Sequence, residues 1–161
     1  MLVTDRQRFP APQPGEALGR LEAQVIEEIL ARGIAAVQLR EKDLEGGLLL
    51  GRALRIREMC NAYGARLIVN GRVDVAVAAA ADGVHLPAGG LSVAAARELL
   101  PSGTFVGCSV HRREELVRAR GADYVIFGPI FETPSKPGYG PAQGPAGMAA
   151  LVADAAIPVL G

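Results

Sequence analysis

The densest cluster of side chains able to do chemistry is Gly107-Cys108-Ser109-Val110-His111. Histidine titrates nearest neutrality of all side chains, which makes it the usual proton shuttle. His111 stands just past an apolar run, beside Gly107 and Ser109, whose small size leaves room for a ligand. Proton transfer and local packing are its two readings. His85 ends another apolar run, but Leu86-Pro87 follow at once, which favours packing or support of a neighbour. Arg40 and Lys42 follow a third run, and Gln38 shares a face with Arg40 at strand spacing. Such a pair suits an anionic substrate, because guanidinium holds carboxylate or phosphate at two points. A surface salt bridge to Glu41 or Asp43 is the competing role. Asn70 can donate and accept at once, which suits a polar heterocycle or a helix cap. Asp74 lies where a helix dipole favours a carboxylate. Lys136 lies in a proline- and glycine-rich stretch, either to close over a phosphate or as a solvated loop lysine.

These groups sit where elements end. Short apolar runs of strand type finish on a polar or ionisable residue near Thr4, Gln38–Arg40, Asn70, His85, Ser109 and Glu132. Alanine-, leucine- and arginine-rich stretches of helical type separate them. Buried parallel strands read as continuous apolar runs, with helices on both sides and functional groups at their carboxyl ends.

Helices are expected over about Glu16–Arg32, Leu48–Tyr63 and Val73–Ala81, and after an N-cap at Ser92. Further ones are expected over Arg112–Arg120 and near Ala146–Ala155, with Gly33, Gly64 and Gly121 as stops. Leu18, Leu21, Val25, Ile26, Ile29 and Leu30 form the buried stripe of the first. Strands are expected near Leu2, Ala35–Leu39, Arg66–Val69, Gly83–Leu86, Phe105–Cys108 and Tyr124–Phe127. Ile157–Leu160 begins a seventh. Thr133–Pro145 is the most irregular segment. Repeated βα order without hairpin signals gives a parallel sheet. A closed eight-fold barrel uses about 250 residues and seldom fewer than roughly 200, whereas this chain has 161. The pattern leaves open an incomplete barrel or an open doubly wound sheet.

A single domain over residues 1–161 is expected, with C-terminal units missing or truncated. Seventeen basic and seventeen acidic residues balance, so neither nucleic acid nor an anionic membrane is an expected partner. Trp is absent and aromatics are 4 %, which argues against base stacking. No apolar stretch approaches the roughly 18 residues of a membrane helix, and charge follows the N-terminus at once, so a cytoplasmic location is expected. Cys60 and Cys108 lack metal-ligand spacing and read as buried thiols. Glycine-rich phosphate loops, HExxH, CxxC and a serine elbow are missing.

Five segments, in order and spacing, carry a resemblance: VQLREK (Val37–Lys42), VNGRVDVA (Val69–Ala76), DGVHLPAGGLS (Asp82–Ser92), GCSVH (Gly107–His111) and ADYVIFGPIFETPSK (Ala122–Lys136). Together they resemble the thiamine phosphate synthase superfamily, and most closely its thiazole tautomerase (TenI-like) branch. The resemblance implies an α/β fold of (β/α)8 TIM-barrel type, here incomplete with about six to seven βα units. It implies substrate contacts at Gln38, Arg40, Lys42, Asn70, Ser109, Thr133 and Lys136, and a small-molecule thiazole phosphate as substrate. Exposed apolar edges of an unfinished barrel would favour a homo-oligomer.

The two branches differ in what they require. The synthase joins a pyrimidine diphosphate to a thiazole phosphate and uses Mg²⁺ for the departing pyrophosphate. The positions that resemble its two metal aspartates are Gly71 and Gly90 here. Magnesium takes hard oxygen ligands, usually a carboxylate or two. On that ground the expectation is a tautomerase without metal or cofactor, in which His111 moves one proton of a carboxythiazole phosphate. Thiamine phosphate synthase (with Mg²⁺) and a non-catalytic module binding thiamine-related phosphates are the alternatives.

Overall fold

The strands form where aliphatic residues run continuously, and glycine ends the helices before them. A computed structural model describes residues 1–132 and 141–161. Its seven strands are ordered as they occur in the chain, with helical segments between, which is the expected α/β class of TIM-barrel type. The described residues divide into two compact units, Met1–Val84 with Leu100–Thr104, and His85–Leu99 with Phe105–Gly161.

In the first unit, β1 (Leu2–Val3), β2 (Ala36–Leu39) and β3 (Arg66–Asn70) pair in parallel, with Leu2 opposite Val37 and Val37 opposite Leu67. Val37, Leu67 and Val69 are fully buried, as expected of strands covered on both faces. Helix α1 (Arg20–Ala31) precedes β2, α2 (Gly46–Ala62) precedes β3, and α3 (Val73–Ala78) follows it. Gly33 and Gly64 close α1 and α2 with φ of +86° and +66°, a conformation that favours glycine. β4 (Gly83–Leu86) begins in this unit and ends in the next.

The second unit holds α4 (Val93–Leu99), β5 (Phe105–Val110), a 3₁₀ segment (Arg113–Ala119), β6 (Tyr124–Phe127), α5 (Gly144–Asp154) and β7 (Val159–Leu160). β5 pairs with β6 and β6 with β7, again in parallel, with Gly107 opposite Tyr124 and Val125 opposite Val159. Ser92 caps α4 as expected, its Oγ accepting from Ala95 N at 3.2 Å. Among the described residues no helix is long and apolar enough to cross a membrane.

Three expectations need correction. α1 begins at Arg20, not Glu16, because the proline-rich segment continues as turns to Gly19. Its inner face carries Glu22 with Ile26 and Leu30, while Leu21 is 51 % exposed. The buried partner Arg52 turns the helix that way. The residues expected as a helix over Arg112–Arg120 wind as 3₁₀ turns instead.

Each unit uses one aspartate in the same way. Asp82, just before β4, accepts Leu67 N at 2.7 Å and pairs with Arg57 of α2. Asp123, just before β6, accepts Val106 N at 2.7 Å and Arg97 Nη2 of α4 at 2.7 Å. Both carboxylates tie the N–H of the preceding strand to the preceding helix. Asp123→Ala orphans the N–H of Val106, a fully buried residue, and is expected to cost about 1–3 kcal/mol. Urea unfolding of that variant, with Asp123→Asn beside it, measures the loss.

Candidate active site

In the first unit, the carboxyl ends of β2 and β3 carry the expected anion-binding groups. Gln38 is 2 % exposed, and its Nε2 faces Met1 Sδ at 3.9 Å. Its side chain is packed inside the unit, while Arg40 and Asn70 are half-buried and Lys42 is exposed. Arg40 forms no ion pair among the described residues, and its backbone N donates to Thr4 Oγ1 at 3.0 Å. The competing salt bridge of Arg40 with Glu41 or Asp43 is therefore not what forms. Asp43 accepts from Arg6 Nη2 at 2.5 Å. Glu41 is buried and accepts from Thr4 Oγ1 at 2.7 Å and from Arg6 N at 3.1 Å. Asn70 does not cap α3, whose N-cap position is Arg72, without a side-chain capping bond.

Behind Glu41 lies a buried charge cluster that the sequence did not announce. Arg52 pairs with Glu22, donates to Ala17 O at 3.0 Å, and stands 3.9 Å from Glu41. Arg52 and Glu22 are 3 % and 2 % exposed. Burial pushes the Glu22 carboxyl above its ordinary range, and the guanidinium of Arg52 opposes that push. A glutamate one turn into an amphipathic helix reads as a solvent residue, so no sequence signal marked it.

The positions that resemble metal aspartates bring no carboxylate. Gly71 adopts φ +75°. A Cβ at Gly90 would stand 3.1 Å from Pro87 Cδ and 3.2 Å from Pro87 O, so the loop is closed to a side chain there unless Pro87 gives way. The nearby Asp74 is held by Arg72 at 2.9 and 2.6 Å. That contact, together with backbone N–H groups in the first turn of α3, lowers the Asp74 carboxyl to about 2, so an ion pair adds to the expected helix-start role. Among the described residues no group of three His, Cys, Asp or Glu could hold a metal ion. Positions 71 and 90 themselves therefore offer a magnesium ion no carboxylate.

In the second unit, Ser109 lies on β5 and His111 just past its end, both half-buried. His111 Nδ1 bonds to the carbonyl of Gly128, and its backbone N donates to Glu115 Oε2 at 2.7 Å. A carbonyl only accepts, so Nδ1 carries the hydrogen. Ser109 Oγ lies 2.8 Å from His85 Nε2, and His85 Nδ1 lies 3.3 Å from the Tyr124 hydroxyl. His85 thus supports its neighbours Ser109 and Tyr124. The room expected beside Gly107 is filled by the ring of Tyr124.

A cavity of about 430 Å³ in this unit is lined by Leu86, Pro87, Gly90, Ser92, Ser109 and Arg118, among others. Among the described residues Arg118 is its one ionised lining residue, donating to Ala88 O at 3.1 Å. Cys108 also lines it, and burial raises its thiol, as burial and nearby Asp82 raise Cys60 to about 11. Both thiols are neutral at physiological pH. Thr133 and Lys136 lie outside the described residues.

Residues 1–161 match the family model described as thiamine monophosphate synthase. The chain belongs to this family, one of thiamine biosynthesis. It is 46 % identical to a putative thiamine-phosphate synthase of Geobacter sulfurreducens, over 98 % of this chain and 71 % of the relative. It is 43 % identical to a thiamine-phosphate synthase of Methanoculleus marisnigri, over 88 % of this chain and 68 % of that one. A solved thiamine phosphate pyrophosphorylase from Pyrococcus furiosus superposes with a TM-score of 0.81 at 30 % identity, covering 99 % of this chain and 73 % of that one. This similarity supports the α/β TIM-barrel-type fold, here incomplete.

The expectation of a thiazole tautomerase is overturned. Relatives at 40–46 % identity bear the name thiamine-phosphate synthase. The reason is chemical. Residue types such as those at Arg40, Lys42 and Asn70 would suit any related anionic heterocycle, and a histidine at a strand end does not say which bond forms. Glycine at 71 and 90 bears on how a metal is held, not on the reaction class.

Proposed function

We propose that the chain is a transferase of the thiamine-phosphate synthase type, joining a hydroxymethylpyrimidine diphosphate to a thiazole phosphate. The observation that carries this reading is the 46 % identity, over nearly the whole chain, to a relative named for that activity. The thiazole nitrogen attacks the pyrimidine methylene carbon, the carbon–oxygen bond to diphosphate breaks, and pyrophosphate leaves with the electron pair. Both substrates are anions, which suits Arg40, free of ion pairs among the described residues, and Lys42 at the mouth of β2.

The chain's contribution is positioning and charge. Arg40 and Lys42 stabilise charge on the departing diphosphate, since developing negative charge is where fixed donors are worth most. Asn70 offers a donor and an acceptor to a ring. Ser109 and the Nε2 of His111 orient polar groups of a bound heterocycle in the second unit. No step is routed through a metal, since positions 71 and 90 supply no carboxylate to hold one. Incubation of the chain with both substrates, read by mass spectrometry, tests the proposal: thiamine phosphate is expected. Its absence with well-folded protein would contradict the assignment.

A further inference from the structure

Gly107 lies opposite Tyr124 in the β5–β6 register. A Cβ on Gly107 would stand 2.1 Å from Tyr124 Cζ, so the phenol ring lies directly over the glycine. In a sheet, neighbouring strands are about 4.8 Å apart, so side chains two strands away are separated by roughly 10 Å. His85 on β4 and Tyr124 on β6 are two strands apart in that sense. Their ring centroids are nevertheless 5.7 Å apart with planes 30° from parallel. The missing side chain at 107 is what lets them meet. His85 is 2 % exposed, and its two ring nitrogens face Tyr124 and Ser109.

Hydrogen accounting fixes the direction of this chain of contacts. Burial, ahead of the nearby Cys108 and Asp123, pushes the Tyr124 phenol up to about 12, so it keeps its hydrogen at neutral pH. Its hydroxyl has one hydrogen-bond partner among the described residues, His85 Nδ1. If Nδ1 donated, the half-buried phenolic hydrogen would have no acceptor among the described residues, and one hydrogen bond would be forfeited. Tyr124 therefore donates to Nδ1. The neutral imidazole then carries its hydrogen on Nε2 and donates it to Ser109 Oγ. The hydroxyl hydrogen of Ser109 points elsewhere.

We propose that Tyr124 and His85 are positioning residues that make Ser109 an obligate hydrogen-bond donor, and that Gly107 is the gap that seats them. The ligand group met by Ser109 is accordingly an acceptor, such as a ring nitrogen or a phosphate oxygen. Ser109 lines the cavity whose one ionised lining residue, among the described residues, is the cation Arg118, which agrees with that polarity. This inference deepens the transferase reading for the ligand's identity, but the relay itself is read on the free protein.

The chain has two histidines, so ¹⁵N-histidine labelling gives two ring systems, and His111→Gln assigns them. Long-range ¹H–¹⁵N spectra at pH 8 are expected to show His85 as the Nε2–H tautomer. Ser109→Ala keeps that tautomer, because Tyr124 sets it. Tyr124→Phe removes the donor to Nδ1 and converts His85 to a mixture or to Nδ1–H, with the melting profile checking that the fold is kept. In the transfer assay Tyr124→Phe lowers kcat/KM about five- to tenfold, the size of one hydrogen bond. An Nδ1–H tautomer in the unaltered chain, or an unchanged tautomer in Tyr124→Phe, overturns the relay. Absence of product from the unaltered chain counts against the transferase reading alone, since the tautomer spectra decide the relay without substrate.

Discussion

Replacing Arg52 by alanine is expected to lower stability by about 3–5 kcal/mol, because it leaves the Glu22 carboxylate buried without its cation and Glu41 with Arg6 alone. Few single substitutions reach that size. The loss is pH-dependent. Glu22 already titrates above its ordinary value of 4.5 through burial, against the pull of Arg52. A carboxyl with a raised folded pKa contributes stability below the unfolded pKa and loses it as pH rises through the folded one. Without Arg52 the folded value climbs further. The deficit of Arg52→Ala is therefore largest near neutrality and narrows as pH falls towards 4.5. Urea unfolding of both proteins at pH 7.5 and 5 reads the difference. A deficit independent of pH would mean that lost packing, not an uncompensated carboxylate, is responsible. The double variant Arg52→Met with Glu22→Leu should recover most of the loss, since apolar replacement of a buried pair is often neutral or stabilising.

Arg40→Ala is expected to reduce kcat/KM for thiamine phosphate formation by roughly ten- to a hundredfold, the range for a hydrogen bond to a charged group. Stability should barely move, because the side chain is half-buried and enters no ion pair among the described residues. Arg40→Lys should recover part of the activity only, as a point charge lacks the two-point fork. Steady-state kinetics with the thiazole phosphate varied measures both. Unchanged kinetics in Arg40→Ala would remove the strand-two mouth from the site.

What could be read in the sequence followed from local rules. The strands expected over Arg66–Val69 and Gly83–Leu86 lie within a residue of the observed ends. Glycine after a helix, at 33 and 64, and serine before one, at 92, act through backbone geometry that needs no partner. What could not be read depended on residues far apart in the chain. Glu22 is buried because Arg52, thirty residues on, pairs with it. Gly107 looked like space for a ligand, yet Tyr124 occupies that space through strand register. Nothing in the local sequence of Asp82 and Asp123 shows that each binds the N–H of the preceding strand. The choice between two reactions on one scaffold was out of reach for a similar reason. Anion-binding side chains and a strand-end histidine are common to both, and only comparison with named relatives separated them.

The most direct test supplies both substrates together, then the pyrimidine diphosphate alone, and counts pyrophosphate and thiamine phosphate in the same samples. The account predicts the two products in equal amounts and no pyrophosphate without the thiazole phosphate. Folded protein that yields neither product, or pyrophosphate without coupling, would contradict it.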